Sequence, residues 1–224
     1  VGRNLAEDQP VSRQSEFDFI EQAARPRPQK PEYVFFGLLA GDASRPIGAC
    51  RDRIMLDHGI SGGRVGDERL HLSLSGLGGF RRIPSRIPYG AKLAADRIVL
   101  PPFEVLLYRA VTLPGGRPGR YPTVLLAKGD LVQELGDSLF RELGLQRMRA
   151  GGLAMPHMTL FYSGQRIRPV DIEPIRLLFD RFCLIHSERG LGRYNVLGEW
   201  PLRAMDSPAA PAAMPPLVFG SMAA

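Results

Sequence analysis

From Tyr33 to Leu39 the chain reads Tyr-Val-Phe-Phe-Gly-Leu-Leu, an apolar run bounded by Pro31 and Gly41 that predicts a buried strand. Ser44 offers an N-cap and Pro46 suits a first turn. Ile47, Cys50 and Ile54 then recur at helical spacing, which predicts an amphipathic helix to about Leu56. Gly59–Gly66 reads as a glycine-rich loop and Leu70–Ser75 as the next strand. Phe103–Leu113 and Thr123–Ala127 read as two strands joined by a turn around Pro114-Gly115-Gly116. Leu131, Leu135, Leu139 and Leu143 hold one helical face between Asp130 and Gly144, with Val132 and Phe140 widening it. Met155–Tyr162 returns to strand. Further strand-like segments over Ile175–Ser187 and Tyr194–Pro201 turn at Arg189-Gly190-Leu191-Gly192. The order is strand, helix, strand and hairpin, then helix, strand and hairpin again. It predicts an α+β chain with a twofold internal echo.

The two ends lack this periodicity. Residues 1–31 mix charges with Pro10, Pro26, Pro28 and Pro31 and read as an N-terminal arm, while residues 206–224 are an Ala/Pro/Met-rich tail. The predicted folded body is 32–205, within reach of a single domain. No stretch approaches the ~20 consecutive apolar residues of a membrane span, and Val1–Pro10 shows no apolar signal segment. Two cysteines, Cys50 and Cys183, are too few and too distant for a disulfide framework or a cysteine zinc site, and read as buried thiols in a reducing cytoplasm. The net charge is +6, and only three of the 29 basic residues are lysines. An arginine-rich surface permits a polyanionic partner, although GC-biased coding produces the same composition.

One short pattern occurs twice. His71-Leu72-Ser73-Leu74 and His157-Met158-Thr159-Leu160 are both His-apolar-hydroxyl-Leu, 86 residues apart, in a chain with four histidines. On a strand, a histidine and the hydroxyl two places later share a face, and the residue between them points into the opposite layer. If the halves pack about a pseudo-twofold axis, two imidazoles and two hydroxyls meet across a cleft. A neutral imidazole there removes a proton from an attacking water or ribose hydroxyl, and a protonated one gives a proton to the leaving oxygen. Ser73 and Thr159 hold the nonbridging phosphate oxygens. No Cys or carboxylate recurs beside either motif, so a zinc site is not expected.

These paired motifs resemble the 2H phosphoesterase superfamily, in particular its bacterial 2′-5′ RNA ligase or RNA 2′,3′-cyclic phosphodiesterase branch. Tyr33–Leu38 is similar to that family's opening strand, and Met155-Pro156-His157-Met158-Thr159-Leu160 to its Pro-His-x-Thr-Leu segment. Phe182–Glu188 followed by Tyr194–Leu197 resembles its closing hairpin. The resemblance implies two pseudo-symmetric lobes, each an antiparallel sheet with outer helices, flanking a central cleft. It implies opening of RNA 2′,3′-cyclic phosphate ends to 2′-phosphates, with 2′-5′ linkage joining or cleavage in some relatives, and no metal or nucleotide cofactor. By motif position His71 and His157 are the acid–base pair, and Ser73 and Thr159 hold phosphate. Ser73 stands where Thr is commoner. Relatives often carry an aromatic five places after the first His and an Arg five after the second, where this chain has Gly76 and Tyr162.

Tyr162 is therefore a candidate for stacking on a base. Arg81, Arg82 and Arg86 after the first motif, and Arg166 and Arg168 after the second, are candidates to track phosphates at the cleft mouth. His58 and His186 lack a hydroxyl two places on and read as structural or surface residues. The glycines at 59, 62, 63 and 66 end in no Gly-Lys-Ser/Thr and read as turns. The expected partners are RNA ends or a small cyclic nucleotide, such as an ADP-ribose cyclic phosphate. The expected protein is a cytoplasmic monomer with no membrane partner. A non-catalytic RNA-binding module is the alternative of a different class.

Overall fold

The computed structural model describes residues 31–114 and 119–204, so the predicted tail, the arm up to residue 30 and the tip of the turn after Pro114 lie outside the described residues. The elements run β1 (Glu32–Leu39), α1 (Ser44–Asp57), β2 (His71–Phe80), α2 (Arg86–Ala95), β3 (Phe103–Thr112), β4 (Tyr121–Lys128), α3 (Asp130–Leu145), β5 (His157–Ser163), β6 (Val170–Phe179), β7 (Arg181–Glu188) and β8 (Arg193–Pro201). The eight strands form one sheet in the order β6-β3-β4-β5-β2-β1-β7-β8, antiparallel throughout.

The twofold echo is visible in that order. β1-α1-β2 and β4-α3-β5 are equivalent units, and the two four-stranded halves meet where β2 and β5 lie side by side. β2 and β5 themselves pair at one position, Leu72 opposite Met158. Alternate residues of β1 explain the layering. Val34, Phe36 and Leu38 are fully buried on one face, where all three helices add their own apolar residues. These include Ile47 and Ile54 of α1, Ala91 and Ala94 of α2, and Leu135, Leu139 and Leu143 of α3, in one core that crosses both halves. The opposite face carries only a small cluster of Phe35, Cys183 and Ile185, with Tyr33, Leu39 and Tyr194 packed beside it. Among the described residues the helices thus lie on one side of the sheet and leave the other, the groove side, without helix cover.

Three local features depart from the sequence pattern. Helix α2 was not legible, because its buried face is alanines only and Pro88 sits in its first turn, where a missing N–H costs nothing. The strand-like run Ile175–Ser187 is two strands broken at Asp180, one edging one half of the sheet and the other lying inside the second half. Phe140, read as widening the α3 core face, stands 51% exposed. Both cysteines are free; Cys183 is buried, and Cys50 is only partly so.

Candidate active site

Leu72 and Met158 are fully buried, and they are the apolar residues at the centre of the two repeated motifs. With that pair fixed, antiparallel register carries His71 opposite Thr159 and Ser73 opposite His157. Side chains directly across such a pair have Cβ atoms about 4.5–5.5 Å apart. The junction of β2 and β5 therefore brings both motifs onto one face of the sheet, with the imidazoles close enough for the charge of one to act on the other.

Each imidazole is held by the same device. Nδ1 of His71 lies 2.7 Å from the Arg69 carbonyl oxygen, and Nδ1 of His157 lies 2.8 Å from the Met155 carbonyl oxygen. A carbonyl only accepts, so Nδ1 carries a proton in both rings and Nε2 is the position left for chemistry. Nε2 of His71 is 3.0 Å from the Ser73 hydroxyl, which donates to it when the ring is neutral.

The surroundings of His71 are aromatic. Its ring centroid is 4.9 Å from that of Phe35 and 5.4 Å from that of Tyr194, the latter edge-on. Burial here disfavours the charged ring and pushes its pKa down to about 4. The hydrogen bond to the Arg69 carbonyl opposes that shift, and the charges of His157 and Arg69 add to it. The two imidazoles thus lie within each other's field. Burial also raises the Tyr194 hydroxyl to about 12, so it stays protonated.

A bulge follows each hydroxyl at the same place. Between the pairs Gly37–Ser73 and Phe36–Ser75 one extra residue, Leu74, is inserted in β2; between Val124–Thr159 and Thr123–Phe161 the extra residue in β5 is Leu160. Leu74 and Ser75, and likewise Leu160 and Phe161, are all buried. The bulges therefore return Gly76 and Tyr162 to the groove side, which strict alternation would deny them. Tyr162 there lies in the field of Tyr194, with the Arg120 guanidinium 4.6 Å above its ring. At Gly76 the space for a side chain is filled by the Tyr33 hydroxyl.

The segment leading into each motif pairs with the other motif's strand. Val65 N–H donates to the Leu160 carbonyl at 2.9 Å, and Tyr162 N–H to the Gly63 carbonyl at 2.9 Å. In the other half Gly151 N–H donates to the Gly76 carbonyl at 2.8 Å, and the Ser75 hydroxyl to the Gly151 carbonyl at 2.9 Å. The buried Arg51 secures the first segment, donating to the Val65 carbonyl at 2.6 Å and to Asp67 at 2.7 Å. This is the duty of the glycine-rich stretch: Gly63 has φ +68°, and a Cβ there would collide with the Tyr162 carbonyl oxygen.

The arginines singled out by sequence are placed differently. Arg81 and Arg82 follow the far end of β2, ten residues from His71 and roughly 30 Å along the strand. They are exposed, as are Arg86, Arg166 and Arg168. Arg166 lies past the end of β5, its guanidinium 4.4 Å over the Tyr121 ring. None of these five is among the groups whose charge acts on His71. His58 is exposed at the end of α1, and His186 is 3.1 Å from Glu32. What sequence reasoning passed over are Arg69, which closes a short 3-10 turn two places before His71, and Phe35, Tyr33 and Tyr194, which only folding brings to the motif. Among the described residues no three His, Cys, Asp or Glu side chains converge as a metal-binding group, and no helix is long and apolar enough to cross a membrane.

No protein-family model matches this chain, and no curated protein sequence does. Its fold, however, is found in solved structures. LigT of E. coli in its apo form is 22% identical, with a TM-score of 0.61 over 78% of this chain and 99% of LigT. TT0787 of Thermus thermophilus is 21% identical, with a TM-score of 0.61 over 77% of this chain and 99% of that protein. A structure described as a phosphoesterase is 21% identical, with a TM-score of 0.57 over 77% and 99%. LigT has been solved in complex with ATP, 3′-AMP, phosphate and NADP+. At these identities the shared property is the α+β fold of an antiparallel sheet with outer helices.

Proposed function

We propose that the groove is the active site of a 2H-type phosphodiesterase that opens RNA 2′,3′-cyclic phosphate ends to 2′-phosphates. The observation that carries this reading is the duplicated His-x-hydroxyl unit, with each Nδ1 tied to a carbonyl two residues upstream and both units joined through Leu72 and Met158. The shared fold supports it, since LigT, which binds 3′-AMP and phosphate, spans nearly its whole length on this chain.

In this reading the phosphorus sits between the two Nε2 atoms. His71, kept neutral by burial, accepts a proton from water as the water oxygen bonds to phosphorus. His157 gives its proton to the ribose 3′ oxygen as the phosphorus–O3′ bond breaks, leaving a 2′-phosphate and a 3′-hydroxyl. The water takes the place of Ser73 at Nε2 of His71, and the freed hydroxyl turns to a nonbridging oxygen, with Thr159 doing the same from the opposite strand. Joining of 2′-5′ ends is the same proton traffic run with a ribose hydroxyl as nucleophile or leaving group. The proton transfers are assigned wholly to this chain's side chains.

The test is turnover of an oligonucleotide ending in 2′,3′-cyclic phosphate, in EDTA, by wild type, His71→Ala and His157→Ala. Each variant is expected to stay folded and to lose about 10²–10⁴ in kcat. Full activity in either variant, or activity that disappears with EDTA, contradicts the reading.

A further inference from the structure

Arg69 closes the short 3-10 turn Asp67–Arg69 that leads through the buried Leu70 into β2, and it lies close enough to His71 and Tyr194 for its charge to act on both. Its pseudo-twofold counterpart is Met155, two places before His157. The backbone carbonyls of this pair do the same work, each accepting an imidazole Nδ1–H. Their side chains differ. One end of the groove has a fixed cation, and the other has a thioether.

The Arg69 side chain is little used by the protein's own anions. Its Nε is buried and makes no hydrogen bond, and its ion pair is with its exposed chain neighbour Glu68, at 3.4 Å. The guanidinium lies against the turn between β7 and β8, where a Cβ on Gly192 would be 3.8 Å from Cζ and Nη1. Its charge acts on both the His71 ring and the Tyr194 hydroxyl. A guanidinium beside reactive groups, with a buried N–H that makes no hydrogen bond and a solvent-facing carboxylate as its ion-pair partner, is suited to an anionic oxygen of the substrate. Only Leu70 separates Arg69 from His71, and the guanidinium reaches toward Gly192 in the β7–β8 turn, which places it to one side of a phosphate held between the imidazoles.

We infer that Arg69 binds a second phosphoryl group, the one adjoining the reacting phosphate on the His71 side, and so selects substrates that carry such a neighbour. The inference rests on the phosphodiesterase reading above and adds a direction to it. The substrate extends past His71 toward Tyr194 and the β7–β8 turn, and not past His157, where Met155 offers no charge.

The experiment compares kcat/KM for a nucleoside 2′,3′-cyclic phosphate and for a dinucleotide ending in the same cyclic phosphate, in the full chain. Wild type favours the dinucleotide by about tenfold or more, the worth of one charged hydrogen bond. Arg69→Gln erases that preference through KM, losing more on the dinucleotide than on the mononucleotide. Arg69→Lys recovers part of the preference. Equal losses on both substrates, or a preference that survives in Arg69→Gln, overturn the inference. Wild type that turns over neither substrate overturns the phosphodiesterase reading itself, and this inference falls with it.

Discussion

Protonating His71 perturbs the centre of the site without changing a residue. An imidazole in an unfolded chain takes its proton near pH 6.5, whereas Phe35, Tyr194 and the surrounding burial delay protonation in the fold to about 4. Between those values the unfolded chain holds the extra proton, so stability rises with pH there. The stabilisation contributed by neutral His71 is complete above 6.5 and is lost as the pH falls toward 4. The 2.5-unit gap at 1.36 kcal/mol per unit gives a loss of about 3 kcal/mol by pH 4. Other groups also titrate, so the assay is a difference: urea unfolding of wild type and His71→Gln at intervals from pH 7 to pH 4. The stability of wild type relative to the variant should fall by about 3 kcal/mol across that range. A difference that stays constant with pH would refute the burial argument, and with it the assignment of His71 as proton acceptor.

Two further substitutions test how the segment before His71 is held. Arg51→Met leaves the Val65 carbonyl and Asp67 without their buried donor, and a urea-unfolding loss of about 1–3 kcal/mol is expected; an unchanged midpoint would show that the loop holds itself. Gly63→Ala forces a Cβ into the Tyr162 carbonyl at a left-handed backbone position, so it should cost about 2 kcal/mol or more and speed hydrogen exchange at the Tyr162 amide. Gly59→Ala is the control: φ is +62° but no atom lies within 4 Å of the added carbon, so only the backbone term of about 1–2 kcal/mol remains. Equal losses at 59 and 63 would contradict the collision.

Much of this was legible in the sequence, for physical reasons that differ from element to element. β1 declares itself because it is a continuous apolar run, buried on both faces from Val34 to Leu38, and α3 because four leucines keep helical spacing. The His-x-hydroxyl pairs are legible because a strand's period of two is short enough to read locally. The meeting of the halves at Leu72 and Met158 is a long-range contact, and only the repetition of the motif hinted at it. The bulges were hidden, since Leu74 and Leu160 look like ordinary strand residues; yet they bring Tyr162 to the groove. Helix α2 was hidden because small alanines bury without an apolar stripe. Arg81 shows how little closeness in sequence fixes distance from a motif, since an extended strand carries the chain about 3.3 Å further with each residue.

The central claim is that one phosphate occupies both histidines at once. It is tested by following the imidazole resonances of His71 and His157 by NMR while a nucleoside 2′-phosphate is titrated in. Both rings should shift together along curves described by one dissociation constant, and replacing either ring should abolish the response of the other. Rings that respond separately, with different constants, or a response confined to one of them, would contradict the account.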